Sequence, residues 1–184
     1  MNTRTIMIFP EFKNIDVINN IRKKYDPLAD LVLSHITLVF PFDSEITNEE
    51  LSLYLKECLS DIHQFEVQLE GFSKQEDKYG NYLFLNVVQG MGIIKNIHDM
   101  LYKDKLKQFD LGYKYIPHMT VGKLSSAELL DKAFDDVSKC KDKFSTVIKK
   151  NICWNDWWAW RINYYNRARI KLINFKGRRA LLCR

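Results

Sequence analysis

The sequence is short of chain breakers: among 184 residues there are 7 Gly and 4 Pro, too few for collagen-like, linker or low-complexity segments. No 20–50-residue period recurs, which excludes solenoid and propeller arrays. No apolar run approaches the ~20 residues that a membrane-crossing helix needs. Cys58, Cys140, Cys153 and Cys183 never form a C-x-x-C pair, so reduced, mostly buried thiols are expected in place of a zinc site or a disulfide framework. Walker, H-E-x-x-H, G-x-S-x-G and G-x-G-x-x-G motifs are missing as well. Met1 leads directly into a strand-like segment without the basic and apolar regions of a secretory leader, so a cytoplasmic protein is expected. With 46% hydrophobic and 28% charged residues, the chain has the composition of one globular domain, or of two small lobes sharing a core.

The net charge of +5 is unevenly spread. Residues 1–150 are mildly acidic at net −2, whereas residues 151–184 carry eight basic residues against Asp156 alone. The four Trp all fall at positions 154–160, and six of the tail's eight basic residues are Arg. Two readings of this tail stand. It is either a basic, aromatic arm suited to bases and phosphates, or the product of a displaced reading frame. Dropping one base after back-translation turns each Trp codon into a Gly codon and Asn163-Tyr164-Tyr165-Asn166 into Ile/Thr codons, as in a closing β-hairpin. The abruptness of the change favours the displaced frame. The expected organisation is therefore one domain over 1–150 and an anomalous tail over 151–184.

Within the body, hydrophobic spacing predicts a strand over 5–10, a helix over 12–25, and a strand over 31–40 that Pro41 ends. Thr47-Asn48-Glu49-Glu50 is a capping box whose helix turns Leu51, Leu55, Cys58, Leu59 and Ile62 inward. Segments 64–72 and 81–88 read as a hairpin joined by the polar stretch 73–80. A helix over 91–109 and a strand over 117–123 follow. Ser125-Ser126-Ala127-Glu128 then opens a helix that buries Leu129, Leu130, Ala133, Phe134, Val137 and Cys140, and a last strand begins at Phe144. The class is α+β. Each half offers a histidine-bearing strand, a capped helix and further strand, which suggests two related lobes facing one another.

Two of the four histidines are followed two residues later by threonine: His35-Ile36-Thr37-Leu38 and His118-Met119-Thr120-Val121. Chance predicts on the order of 0.1 such matches for this composition. On a strand, His35 and Thr37 share one face while Ile36 and Leu38 occupy the other, and His118 and Thr120 repeat the arrangement. A single such pair reads as the solvated side of a sheet; two matched pairs read as a site. Two imidazoles that titrate near neutrality can serve as complementary base and acid, with the threonine hydroxyls bonding the nonbridging oxygens of a phosphate under in-line attack. That chemistry needs no metal and no cofactor.

These residues, with Phe40-Pro41-Phe42 after the first motif and Pro117 and Gly122 around the second, resemble the paired His-x-Thr motifs of the two-histidine (2H) phosphoesterase superfamily, in particular its bacterial 2',5' RNA ligase and cyclic phosphodiesterase branch. The resemblance covers about residues 5–150. It implies a bilobal α+β fold with pseudo-twofold symmetry, antiparallel-rich sheets lining a central cleft and helices outside. It further implies a substrate carrying a 2',3'-cyclic phosphate or a 2',5' linkage, in RNA or a small nucleotide. His35 and His118 would be the acid-base pair, and Thr37 and Thr120 the phosphate binders. Superfamily members usually close the second lobe with further strands, where this chain has its Trp- and Arg-rich tail.

Lys123 is a further candidate for phosphate, and Tyr115, Phe40 and Phe42 for base stacking, against the plainer readings of a solvated lysine and core aromatics. His63 and His98 lack threonine partners and are expected to be structural or exposed. A monomer without membrane association is expected. The alternatives to a metal-independent phosphodiesterase or ligase are a non-catalytic RNA-binding module using the same cleft and, less favoured for want of ligand spacing, a metal-dependent hydrolase.

Overall fold

A computed structural model describes residues 2–149 and, as backbone, the tail segment Arg169–Phe175. The Trp cluster, Cys153 and Cys183 lie outside the described residues.

The elements run β1 (Asn2–Phe9), α1 (Ile15–Tyr25), β2 (Ile36–Ser44), α2 (Asn48–Cys58), β3 (Phe65–Asp77), β4 (Gly80–Gln89), α3 (Met91–Leu101), a short 3-10 turn (Lys107–Phe109), β5 (His118–Leu124), α4 (Ala127–Val137), β6 (Phe144–Ile148) and β7 (Arg169–Phe175). The α+β class expected from the sequence holds. All seven strands join one sheet in the order β6-β3-β4-β5-β2-β1-β7, and every described pairing is antiparallel. Its two halves meet where β2 and β5 share a single ladder pair, Ile36 with Met119.

One face of the sheet buries Ile6, Ile8, Ile36, Leu38, Leu83, Leu85, Met119 and Val121 against Ile18, Ile94, Ile97, Leu101 and Leu130 of the helices. The helices cross between the halves: α1, which follows β1, packs on β5, and α3, which follows β4, packs on β2. The capping box of α2 forms as read, with the Thr47 hydroxyl accepting from the Glu50 amide and the Glu50 carboxylate from the Thr47 amide. Cys58 and Cys140 are half-buried free thiols, each held above its ordinary pKa chiefly by burial.

Four local expectations need correction. The first half of the strand expected over 31–40 is loop, with Leu31 73% exposed, and β2 instead runs through Pro41 to Ser44. Arg4 faces Phe42 while Ile6 faces Val39, so Phe40 and Pro41 together oppose Thr5 in a bulge that asks for no ladder N–H from proline. The polar stretch 73–80 is mostly strand, paired from Ser73–Phe84 to Asp77–Gly80, because both faces reach solvent there and the apolar alternation fades. The third helix stops at Leu101. At α4 the cap is Ser126, whose hydroxyl accepts from the Leu129 amide, and that frame leaves Leu129 exposed.

Candidate active site

Continuing the Ile36–Met119 register by one residue each way sets His35 opposite Thr120 and Thr37 opposite His118. Ile36 and Met119 point into the core, so the four polar side chains share the other face, where each is half-buried. The sequence suggested motifs facing each other from separate lobes; the described residues carry them side by side on neighbouring strands of one sheet. The histidines are diagonal neighbours, with Cα atoms roughly 7–8 Å apart in such a register.

The rings are held alike. His35 Nδ1 lies 2.7 Å from the Leu33 carbonyl and His118 Nδ1 lies 2.7 Å from the Ile116 carbonyl, each two residues upstream. A carbonyl only accepts, so Nδ1 carries the proton and each neutral ring keeps its lone pair on Nε2. Burial depresses both pKa values below the ordinary 6.5, against the pull of those carbonyls. The Arg22 guanidinium pushes His35 further down, with Asp26 opposing it, and His35 in turn lowers His118. Both imidazoles therefore favour the neutral form.

Each motif is anchored differently. Before β2, Arg22 and Asp26 form a buried ion pair at 2.8 Å, and Arg22 donates to the Ser34 hydroxyl beside His35. Ser34 donates onward to Asn19 Oδ1. After Ile36, β2 leaves the β5 ladder and its backbone groups turn to side chains: the Thr37 carbonyl accepts from Tyr115 Oη, the Leu38 carbonyl from His98 Nδ1, and the Phe40 amide donates to Tyr102 Oη. The β5 motif is instead laddered to β4 from Asn86–His118 to Asn81–Leu124.

A bulge in that ladder matters for Lys123. Phe84 pairs with Thr120 and Leu83 with Gly122, so Val121 is the extra residue and the side-chain alternation shifts by one. Gly122 then faces α1, where a Cβ would lie 3.0 Å from the Tyr25 Cβ and 3.1 Å from the Leu83 Cβ. Lys123 joins the face of His118 and Thr120, with Nζ 5.3 Å from the Tyr82 ring centre.

Two candidates for base stacking are corrected. Tyr115 is buried, its ring flat against His98 at 3.7 Å and its hydroxyl committed to Thr37. Phe42 is buried with its ring 4.7 Å from that of Phe109. Both are core residues; the bulge at Phe40 and Pro41 swings Phe42 to the inner side. His98 is structural and His63 is exposed, as expected. The rings that do flank the motifs are Phe84, stacked on His118 at 3.7 Å, and Phe9, tilted against His35 at 5.9 Å. Sequence reasoning missed Phe84, although the alternation Tyr82, Phe84, Asn86 against Leu83, Leu85, Val87 carries the signal. A concavity of about 400 Å³ between α1 and α4 lies on the helix side and contains neither motif. Among the described residues no three His, Cys, Asp or Glu side chains gather as a metal site, and no helix is long and apolar enough to cross a membrane.

Residues 9–151 match the 2'-5' RNA ligase superfamily. The chain belongs to that superfamily. The match ends where the composition turns basic and Trp-rich. Proteins carried under the provisional name phosphoesterase are similar over 132 residues, 68% of this chain and 73% of theirs: one from Bacillus cereus (strain B4264) at 30% identity and one from Bacillus cytotoxicus (strain DSM 22905 / CIP 110041 / 391-98 / NVH 391-98) at 33%. The fold resembles the crystal structure of E. coli LigT complexed with 3'-AMP, with a TM-score of 0.50 and 16% identity over 96% of this chain and 99% of that one. A 2'-5' RNA ligase superfamily sheet thus carries the two His-x-Thr pairs.

Proposed function

We propose that the protein is a metal-independent phosphoesterase that opens 2',3'-cyclic phosphates, or makes and breaks 2',5' linkages, in RNA or nucleotides. The observation that carries this is the Ile36–Met119 pair, which brings the two His-x-Thr motifs side by side on one face of the sheet, together with the matched Nδ1 contacts of the two rings. The relatives' phosphoesterase names support it. In ring opening, Nε2 of one neutral histidine takes a proton from water as its oxygen bonds to phosphorus. The other histidine, protonated once the phosphate anion is bound, gives its proton to the 2' or 3' oxygen as the P–O bond breaks. Thr37 and Thr120 bond the nonbridging oxygens as charge grows. Lys123, on the same face, supplies positive charge nearby.

The test is turnover of an oligonucleotide ending in a 2',3'-cyclic phosphate, in EDTA, by the protein and by His118→Ala. Loss of at least ~10² in kcat with an unchanged circular dichroism spectrum is expected. Equal turnover by the variant overturns the reading, and activity that vanishes in EDTA moves it to a metal-dependent hydrolase.

The division near residue 150 belongs to the same reading: residues 1–150 form the catalytic domain, to whose sheet Arg169–Phe175 adds only an edge strand beside β1, and the tail arises from a displaced frame. Intact mass spectrometry of the protein made from its own gene checks this. A mass other than the 21.9 kDa of the 184-residue chain is expected, and recovery of that mass overturns it.

A further inference from the structure

The polar face of the sheet carries a run of rings that acid-base chemistry does not use. It starts at His118, stacked on Phe84, and continues to Tyr82, whose ring lies 6.0 Å from that of Phe84 and inclined by only 22°. The Tyr82 hydroxyl donates to the Tyr79 carbonyl at 3.1 Å, and the hydroxyls of Tyr79 and Tyr113 meet at 3.2 Å. Lysines accompany the rings: Lys123 over Tyr82, and Lys78 4.9 Å from the centre of Tyr79.

The core does not need these rings, because Leu83 and Leu85 on the other side of β4 are wholly buried and supply it. Phe84, Tyr82 and Tyr79 are only half-buried, and Tyr113 is 51% exposed. At the tip of the hairpin the Asp77 carboxylate is occupied by the Tyr79 amide. Gly80, at φ 150°, leaves room for Lys123, since a Cβ there would lie 3.2 Å from the lysine Cε. Rings two residues apart on a strand repeat every ~6.7 Å. Aromatic side chains on an open antiparallel sheet, with cations beside them, are the chemistry that stacks successive bases of a single strand and meets the phosphates between them.

We propose that the Phe84–Tyr82–Tyr79–Tyr113 track, with Lys123 and Lys78, binds the nucleotides immediately 5' of the reacting phosphate, so that single-stranded RNA is preferred over a mononucleotide. The assignment of the 3' end to the histidines rests on the phosphoesterase reading; the binding track does not. A terminal 2',3'-cyclic phosphate leaves only the 5' side of the strand to extend, and the track gives that side a surface from the histidines to the hairpin tip.

The test is fluorescence anisotropy with a labelled tetranucleotide ending in a 3'-phosphate, which requires no turnover, alongside competition by a nucleoside 3'-monophosphate. The wild type is expected to hold the tetranucleotide at least tenfold tighter than the mononucleotide. Tyr79→Ala with Tyr82→Ala should weaken tetranucleotide binding about tenfold or more, whereas Lys132→Ala on the far side of the sheet should not. Lys78→Ala with Lys123→Ala, which leaves every ring in place, should flatten the dependence of log affinity on log salt by ~0.7 for each phosphate that a lysine no longer neutralises. Equal binding of tetranucleotide and mononucleotide by the wild type, or wild-type affinity and salt dependence in both double variants, overturns the track. A tetranucleotide that binds through the track while its cyclic-phosphate form is not opened overturns the phosphoesterase reading and leaves the track standing.

Discussion

The two His-x-Thr strands present the same polar atoms and reach that result by different physical means. His118 and Thr120 sit on a strand laddered to β4, and a bulge closed by Gly122 sets which side chains follow them onto the open face. His35 and Thr37 sit where β2 has almost no ladder on its β5 side. A buried Arg22–Asp26 pair steadies the approach, and Tyr115, His98 and Tyr102 bond the exit. One arm is positioned by backbone pairing and the other by side-chain hydrogen bonds, so different substitutions disable them.

The largest expected effect is on the β2 arm. Arg22→Met leaves Asp26 charged and buried without its partner and should cost about 3–5 kcal/mol, read by urea unfolding; adding Asp26→Asn should recover part of it. An equally severe loss in the double variant would show that Arg22 packing, not its charge, holds this arm. On the β5 arm, Gly122→Ala forces a Cβ against the backbone-proximal carbons of Tyr25 and Leu83 and should cost roughly 1–3 kcal/mol. Turnover should fall with stability because the bulge aims Lys123; a fully stable Gly122→Ala protein would remove the bulge from the account.

The smallest expected effect compares the arms by pH. Both imidazoles are depressed by burial, so the unfolded chain takes up protons first as pH falls below its ordinary 6.5. The stability these groups contribute is complete above about 6.5 and is lost as pH drops from there through the depressed folded values. Unfolding free energies at pH 7.5 and 5.5 should differ less in His35→Gln and in His118→Gln than in the wild type. Should only one variant behave so, only that histidine is buried enough in solution to couple folding to protons.

What the sequence made legible follows from where one signal dominates. Alternation placed Ile36 and Met119 inward, and hence both His-Thr pairs outward, because a strand with one buried face has only one consistent register. The Thr47–Glu50 cap was legible because its chemistry is local. Pro41 reads as a stop because its neighbours along the chain cannot reveal the bulge opposite Thr5 that accommodates it. Tyr115 and Phe42 are stacking candidates on proximity in sequence alone, yet their burial depends on His98 and Phe109, which are remote in the chain. Phe84 escapes notice for the same reason: its place beneath His118 is fixed by the β4–β5 pairing, a contact between segments more than thirty residues apart.

The exchange of helices between the halves has a consequence for how the chain folds. With α1 seated on β5 and α3 on β2, each half takes part of its hydrophobic cover from the other, so a fragment ending after β2 or starting at β3 would expose sheet that its own helices do not shield. The histidine pair straddling the seam is thus assembled only when both halves are complete, and unfolding should proceed as one cooperative transition in which the candidate site disappears together with the core.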